Sequence, residues 1–316
     1  MRSLLLLSLT AILSTACAAT DETGAATTGG PPPPPPIPPF ALPAKAHDDG
    51  AATPLEQANL EEIQRARANP PAEGERLVAL PEVQSAIQQF GVDKQEVIDD
   101  FKGYPPVPPL AFDARLMVSA RGHSLDMAEN GFQEHDGTDG RQFFERIEDA
   151  GYQFSFCSEN IFAYAESIPY AHAAFLIDWG VPALGHRLTT LDLDGEKIHI
   201  GISVVEDPPH PDVGPLVITQ DLGMPLSDGE RYLVGVVYRD ADGDGAFDAG
   251  EGLEGLRVVP ERGEAWDATA PGGGYTMPFE KGEGQIKVQV QSSEGVVLAE
   301  HQVVLEQDNV KLDFAL

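Results

Sequence analysis

The side chains best suited to chemistry lie in two stretches. The first runs from His135 to Arg187 and holds two imidazoles and a carboxylate: His135 after Phe132, Glu159 in Ser158-Glu159-Asn160-Ile161, and His186 in Gly185-His186-Arg187, behind Trp179. Neutral imidazoles bind divalent metals such as zinc, and a nearby carboxylate can complete the set, orient a ring or take a proton. The separations are long, so only a folded domain could bring the three together. The second stretch is compact, reading Asp240-Ala-Asp242-Gly-Asp244-Gly245-Ala246-Phe247-Asp248-Ala-Gly-Glu251. Carboxylates stand at positions one, three, five, nine and twelve, a turn glycine at six, and Ala246 can offer its carbonyl at seven. That spacing is a calcium loop, and a structural calcium is expected on Asp240, Asp242, Asp244, Ala246, Asp248 and Glu251.

The elements that must position the first set are helical. Thr53-Pro54-Leu55-Glu56 forms a capping box, and the helix it opens runs through Leu60, Ile63 and Ala66 to stop before Asn69-Pro70-Pro71. Residues Ala72 to Tyr104 carry two amphipathic patterns, one on Val83, Ile87 and Phe90, the other on Val97, Ile98 and Phe101. Asp113 caps a long helix that ends at Asn130-Gly131, with His123 on its apolar stripe as a hydrogen-bonded core residue. A short helix follows on Phe143, Phe144 and Ile147, and another spans Ser167 to Trp179, with His172 off its apolar stripe and expected in solvent. From Arg187 the pattern turns to strands: Thr189 to Leu193, a hairpin turn at Asp194-Gly195, Lys197 to Val204, and Leu216 to Thr219.

The calcium loop has no helices beside it. Tyr232 to Tyr238 reads as a strand before it, and Leu256 to Val259, Gln285 to Val290, Val296 to Leu305 and Val310 to Leu316 continue the β pattern. A sensor-type helix pair is therefore excluded.

Composition narrows the setting. The 316 residues carry 51 acidic against 20 basic side chains, a net charge of −31, which repels nucleic-acid phosphates and anionic head groups, so no nucleic-acid partner is expected. Met1-Arg2-Ser3 followed by the apolar run Leu4 to Leu13 reads as a secretory signal, placing the chain outside the cytoplasm. Cys17 follows Leu13-Ser14-Thr15-Ala16, a lipoprotein-like box; acylation of Cys17 is expected, with ordinary cleavage as the competing reading. Membrane contact would then come only through that lipid. Residues 18–52, with the run Pro31 to Pro36, read as a disordered stalk. The expected layout is signal 1–17, stalk 18–52, an α/β domain 53–224, a linker 225–231 and a β domain 232–316. Only Cys157 is left in the folded body, so no internal disulfide can form; flanked by Phe154 and Phe156, it reads as a buried apolar side chain.

The motifs resemble the CAP superfamily, also called SCP domains, in its bacterial form. The order His123-Ser124-Leu125-Asp126-Met127, Phe132 to His135, Ser158-Glu159-Asn160-Ile161, then Trp179 with Gly185-His186-Arg187, and Ile218 to Asp221 as a final strand, is that family's order. The resemblance implies a three-layer α-β-α sandwich with His135, Glu159 and His186 lining a cleft, and Asn160, Trp179 and Arg187 in support. Many members have a second Glu three residues after the Trp. Here Pro182 stands there, with Asp178 as the possible substitute. The C-terminal part resembles the calcium-binding B-type domains of serine-aspartate-repeat adhesins, which are all-β sandwiches.

Three functions follow, in order. The first is a binding module whose cleft takes a divalent metal or an envelope lipid, glycan or protein ligand. The second is a zinc-dependent hydrolase on His135, His186 and Glu159, against which the missing second Glu stands. The third is a surface adhesin.

Overall fold

Prolines and capping side chains punctuate the first half of the chain. The structure is a computed structural model and describes residues 37–40, 44–45, 48–193, 195, 197–227, 229–243, 245–263, 265–282 and 284–316. Cys17, Asp194 and Asp244 lie outside these residues. In chain order the elements are β1 (Ala44–Lys45), α1 (Pro54–Ala68), α2 (Pro70–Ala79), α3 (Gln84–Phe90), α4 (Lys94–Lys102), β2 (Ala111–Phe112), α5 (Ala114–Asn130), α6 (Phe143–Asp149), β3 (Phe154–Ala165), α7 (Ile168–Ile177), α8 (Gly185–Leu191), β4 (His199–Glu206) and β5 (Leu216–Pro225). Then come β6 (Arg231–Tyr238), β7 (Arg257–Pro260), β8 (Ala265–Ala268), β9 (Gly274–Phe279), β10 (Gly284–Gln291), β11 (Val297–Leu305), β12 (Val310–Lys311) and β13 (Phe314–Ala315).

Thr53 and Glu56 form the expected reciprocal cap on α1. At the far end of α1, Asn69 stops one helix and starts the next. Its Oδ1 accepts from the Ala72 amide, and Pro70 takes the first helical position of α2. The Pro-Pro pair, read only as a breaker, is also a start, because the first turn has no use for a proline N–H. Asp113 accepts from the Arg115 amide to begin α5, and Gly131 ends it in the left-handed conformation with φ 70°.

The first sheet has the strand order β2-β4-β5-β3. Alternation along β4, β5 and β3 separates its two faces. Glu159, Asp221, Gly201 and Thr219 face α5 and α6: Ser124 of α5 bonds Thr219 at 2.8 Å, and Arg146 of α6 bonds Glu159. Asn160, Gln220, Ile202 and Ile200 face α1 and α8, with Gln220 donating to Asn59 of α1 at 2.7 Å and Asn160 to Thr190 of α8 at 3.0 Å. Helix, sheet and helix therefore form three layers. The segment from α2 to α4 packs beside them on α7, through Leu77, Val83, Ile87, Val97 and Phe101 against Ala173, Leu176 and Ile177.

The C-terminal strands form two further sheets. One has the order β1-β8-β7-β10-β11; in the other β6 is flanked by β12 and β13 on one side and β9 on the other. Leu233, Tyr275, Met277 and Phe314 of the second meet Val258, Ile286, Val288, Val290 and Val303 of the first in one buried core.

The structure corrects the expected elements in two places. Residues 37–40 and 44–45 were expected as part of the disordered stalk, but β1 pairs parallel with β8, and the Gln289 side chain of β10 bonds the backbone of Pro38 and Phe40 at 2.9 Å. The run Thr189 to Leu193, expected as a strand, lies largely in α8; Thr190 satisfies its hydroxyl on the His186 carbonyl at 2.9 Å, four residues back, so a β-branched residue fits the helix. Residues 37–316 form one unit in which the two domains share a boundary. Asn309 donates to the Pro109 and Ile198 carbonyls, Lys311 pairs with Glu61 at 2.8 Å, and Ala111, Ile198, Tyr232 and Val234 form a shared apolar cluster.

Candidate functional site

Glu159 and Asn160 are consecutive on β3, an edge strand, so their side chains leave it on opposite faces. This divides the site. On the α5 and α6 face, Glu159 is fully enclosed, with Oε1 against Nδ1 of His135 at 2.8 Å and Oε2 against Nη2 of Arg146 at 2.6 Å. Arg146 also donates Nη1 to the carbonyls of His135, at 2.9 Å, and Arg141, at 3.0 Å, so one guanidinium fixes both the carboxylate and the loop that carries the imidazole. The His135 side chain is half exposed, with Phe143 against one edge of its ring.

On the other face Asn160 donates to Thr190, to Gln220 at 3.1 Å and to the His186 carbonyl at 3.5 Å, tying β3 to the start of α8. The His186 imidazole turns to Asp178, its Nδ1 lying 2.7 Å from Oδ1. Asp178 ends α7 in the left-handed conformation, φ 59°, and its Oδ2 accepts the amides of His186 and Arg187. Asp178 is thus the His186 partner.

The chemistry of the two pairs is the same. A carboxylate already accepting from a guanidinium or from backbone amides has only lone pairs to offer, so each Nδ1 carries the proton and donates it. In the neutral ring, Nε2 is then the acceptor. Each histidine is a backed imidazole of the kind that holds a ligand or takes a proton.

The expected three-ligand zinc set is not assembled. Among the described residues, the groups whose ligand atoms lie within 4.8 Å of one another are Glu62, Glu73 and His172, and Asp240, Asp242 and Glu251. His135, Glu159 and His186 do not form one. Glu159 is fully enclosed with each oxygen already paired, so it faces no open position as a third ligand or free base would. These residues do not fit a zinc centre of three protein ligands.

Beside Glu159 in register, on β5, lies the fully buried Asp221. Burial pushes its carboxyl well up, and the charge of Glu159 adds to that. It escaped sequence analysis because only strand register makes it a neighbour of Glu159. His123 is buried as expected, its Nε2 donating to the Glu134 carbonyl at 3.0 Å, and burial lowers its proton affinity.

His172, expected in solvent, is buried, 1% exposed, with Nε2 3.0 Å from Glu73 Oε1. The expectation failed because α1 and α2 bring Glu62 and Glu73 over this position of α7, so a polar residue off the apolar stripe is covered. Arg65 and Arg76 already neutralise Glu62 and Glu73, making this group an internal ion network. Arg187 is likewise structural, buried and bonded to Asp100 at 2.9 Å and to the Leu176 and Ile177 carbonyls. Trp179 stacks on Phe90 at 6.3 Å, holding α3. Cys157 is half-buried, with its thiol pushed up to about 12 by burial and then by the charges of Asp221, Glu148 and Glu159.

In the 240–251 loop, Asp240 Oδ1 and Oδ2 accept the Gly243 and Gly245 amides at 2.8 and 3.0 Å, and Glu251 Oε1 and Oε2 accept the Ala241 and Asp248 amides at 2.7 and 3.0 Å. The Arg239 amide bonds the Glu251 carbonyl and Tyr238 bridges Gly252, so a β-type neck closes the loop. Hard oxygens gathered on Asp240, Asp242 and Glu251 fit the donor set of calcium.

No helix among the described residues is long and apolar enough to cross a membrane. A search of curated proteins found no match. Among solved structures the chain is similar to an extracellular protein containing an SCP domain from Bacillus anthracis str. Ames, at 23% identity and a TM-score of 0.30, over 46% of this chain and 43% of that one. Residues 95–221, the stretch that carries His135, Glu159 and His186, match the family model described as CAP, the cysteine-rich secretory protein family.

Proposed function

We propose that this chain is an extracytoplasmic binding module. Its CAP region presents two backed imidazoles, His135 and His186, to an envelope lipid, glycan or protein ligand, and calcium orders its C-terminal β domain. The observation that carries the non-catalytic reading is the full engagement of Glu159, held by His135 on one oxygen and Arg146 on the other. A hydrolase needs a carboxylate free to activate water, and the pairing leaves none at that position. The export signal at Met1 to Leu13 supports the location, and Cys17 as a lipid acceptor would tether the module to a membrane.

Calorimetric titration of the full chain tests this. With zinc in chelator-treated buffer, the reading predicts no sub-micromolar site shared by His135 and His186. Tight zinc binding abolished by both His135→Ala and His186→Ala would reinstate the hydrolase. With calcium, it predicts one saturable site that Glu251→Gln abolishes; indifference to that change would sink the calcium assignment.

A further inference from the structure

Position eight of the calcium loop is not a ligand position, so its side chain is free to point away from the cation. Here it is Phe247, and it reaches across to the α/β domain. Phe247 packs against the apolar cluster of the α/β domain formed by Ala58 of α1, Ile168, Ala171 and Phe175 of α7, and Ile218 of β5. Tyr238, at the neck, holds it from behind: the rings meet edge to face at 5.8 Å, and the Tyr238 hydroxyl donates to the Gly245 carbonyl.

The rest of the contact converges on the same helix. Thr53, Gln57 and Glu61 recur every four residues and form one stripe of α1, while Leu60 and Ile63 face the sheet. The Gly272 amide bonds the Ala52 carbonyl, and Gly274 lies so close to Gln57 that a Cβ there would fall 1.8 Å from Oε1. Gln57 donates to Glu61, which is paired with Lys311. The loop exit joins this contact directly, because Gly252 is stacked on the Gly272-Gly273 turn. Both the middle of the loop and its end therefore bear on the first three turns of α1.

We propose that the 240–251 loop is a cation-set clasp between the two domains: binding of a divalent cation seats Phe247 on α1 and α7 and so fixes the β domain to the α/β domain. The inference rests on the calcium assignment above and adds to it. Without the cation, repulsion among the loop carboxylates opens the loop and releases Phe247, and the effect is felt in α1, well outside the β domain.

Hydrogen exchange read by mass spectrometry on the full chain, with calcium or with chelator, tests the clasp. A cation at about 100 times its Kd suppresses openings that release it by about a hundredfold. We expect at least about tenfold slower exchange both in the loop and in the first turns of α1. In Phe247→Ala the loop should still gain protection while α1 does not. Calcium-dependent protection confined to the β domain in the native chain, or α1 protection unchanged in Phe247→Ala, would overturn the clasp and leave the calcium site standing. Absence of calcium uptake by calorimetry would remove both.

Discussion

Replacing Arg146 by leucine isolates what holds His135 in place. The wild-type guanidinium is 9% exposed, the Glu159 side chain is fully buried, and their contact is 2.6 Å. Removing one partner of such a pair strands the other charge, at a cost of about 3 to 5 kcal/mol. Two carbonyl bonds that fix the 135–141 loop vanish with it. For a folded unit of this size each kcal/mol moves Tm by about 2 to 4 °C, so Arg146→Leu should lower Tm by about 6 to 20 °C. The double variant Arg146→Leu/Glu159→Gln should recover much of it. Thermal melts of wild type, single and double variants followed by circular dichroism are sufficient. A shift below about 2 °C, or a double variant no better than the single, would refute the claim that Glu159 is committed to this pair.

Three further outcomes follow from individual contacts. A Cβ on Gly201 would meet the Leu116 carbonyl carbon at 2.1 Å, so Gly201→Ala should push α5 off the sheet and cost at least about 1 to 3 kcal/mol, whereas Gly122→Ala, exposed on α5 with open space around it, should stabilise by about 0.5 to 1 kcal/mol; equal signs in denaturant titrations would contradict the layer geometry. At Glu73, burial raises the carboxyl, but hydrogen bonds from His172 and Arg76 and the nearby charges of His172 and Arg65 outweigh it and hold it well below the usual range. Its contribution is therefore present above the unfolded pKa of about 4.3 and is lost as pH falls, so Glu73→Gln should be least stable relative to wild type at neutral pH and converge with it in acid, as acid titrations of stability can show. Cys157, with its thiol near 12, should alkylate roughly a thousandfold more slowly than an unfolded control at pH 8; comparable rates would mean the thiol is not shielded.

Local chemistry was legible where one side chain decides it: the Thr53 and Glu56 box, the Asp113 cap, the Gly131 exit and the β flanks of the 240–251 loop all stand as the sequence implies. Long-range placement was not. Motif order puts His135, Glu159 and His186 in one region but cannot reveal that Glu159 and Asn160, being adjacent on a strand, send the histidines to separate carboxylates. His172 and Asp221 depend on which helix covers which face, and on strand register. Residues 37–40 and 44–45 lack the apolar surface to fold alone, yet find partners in strand β8 and in the Gln289 side chain of β10.

The central claim is that both site histidines are held through Nδ1 by carboxylates. Long-range proton–nitrogen correlation NMR of the histidine-labelled full chain at about pH 8, where an ordinary imidazole is neutral, reads the tautomers directly. The account predicts the Nδ1–H form for His135 and His186, against the Nε2–H form for His123, whose Nε2 donates to the Glu134 carbonyl. An Nε2–H signature at either site histidine would mean that its carboxylate does not back it, and the binding site would have to be redrawn.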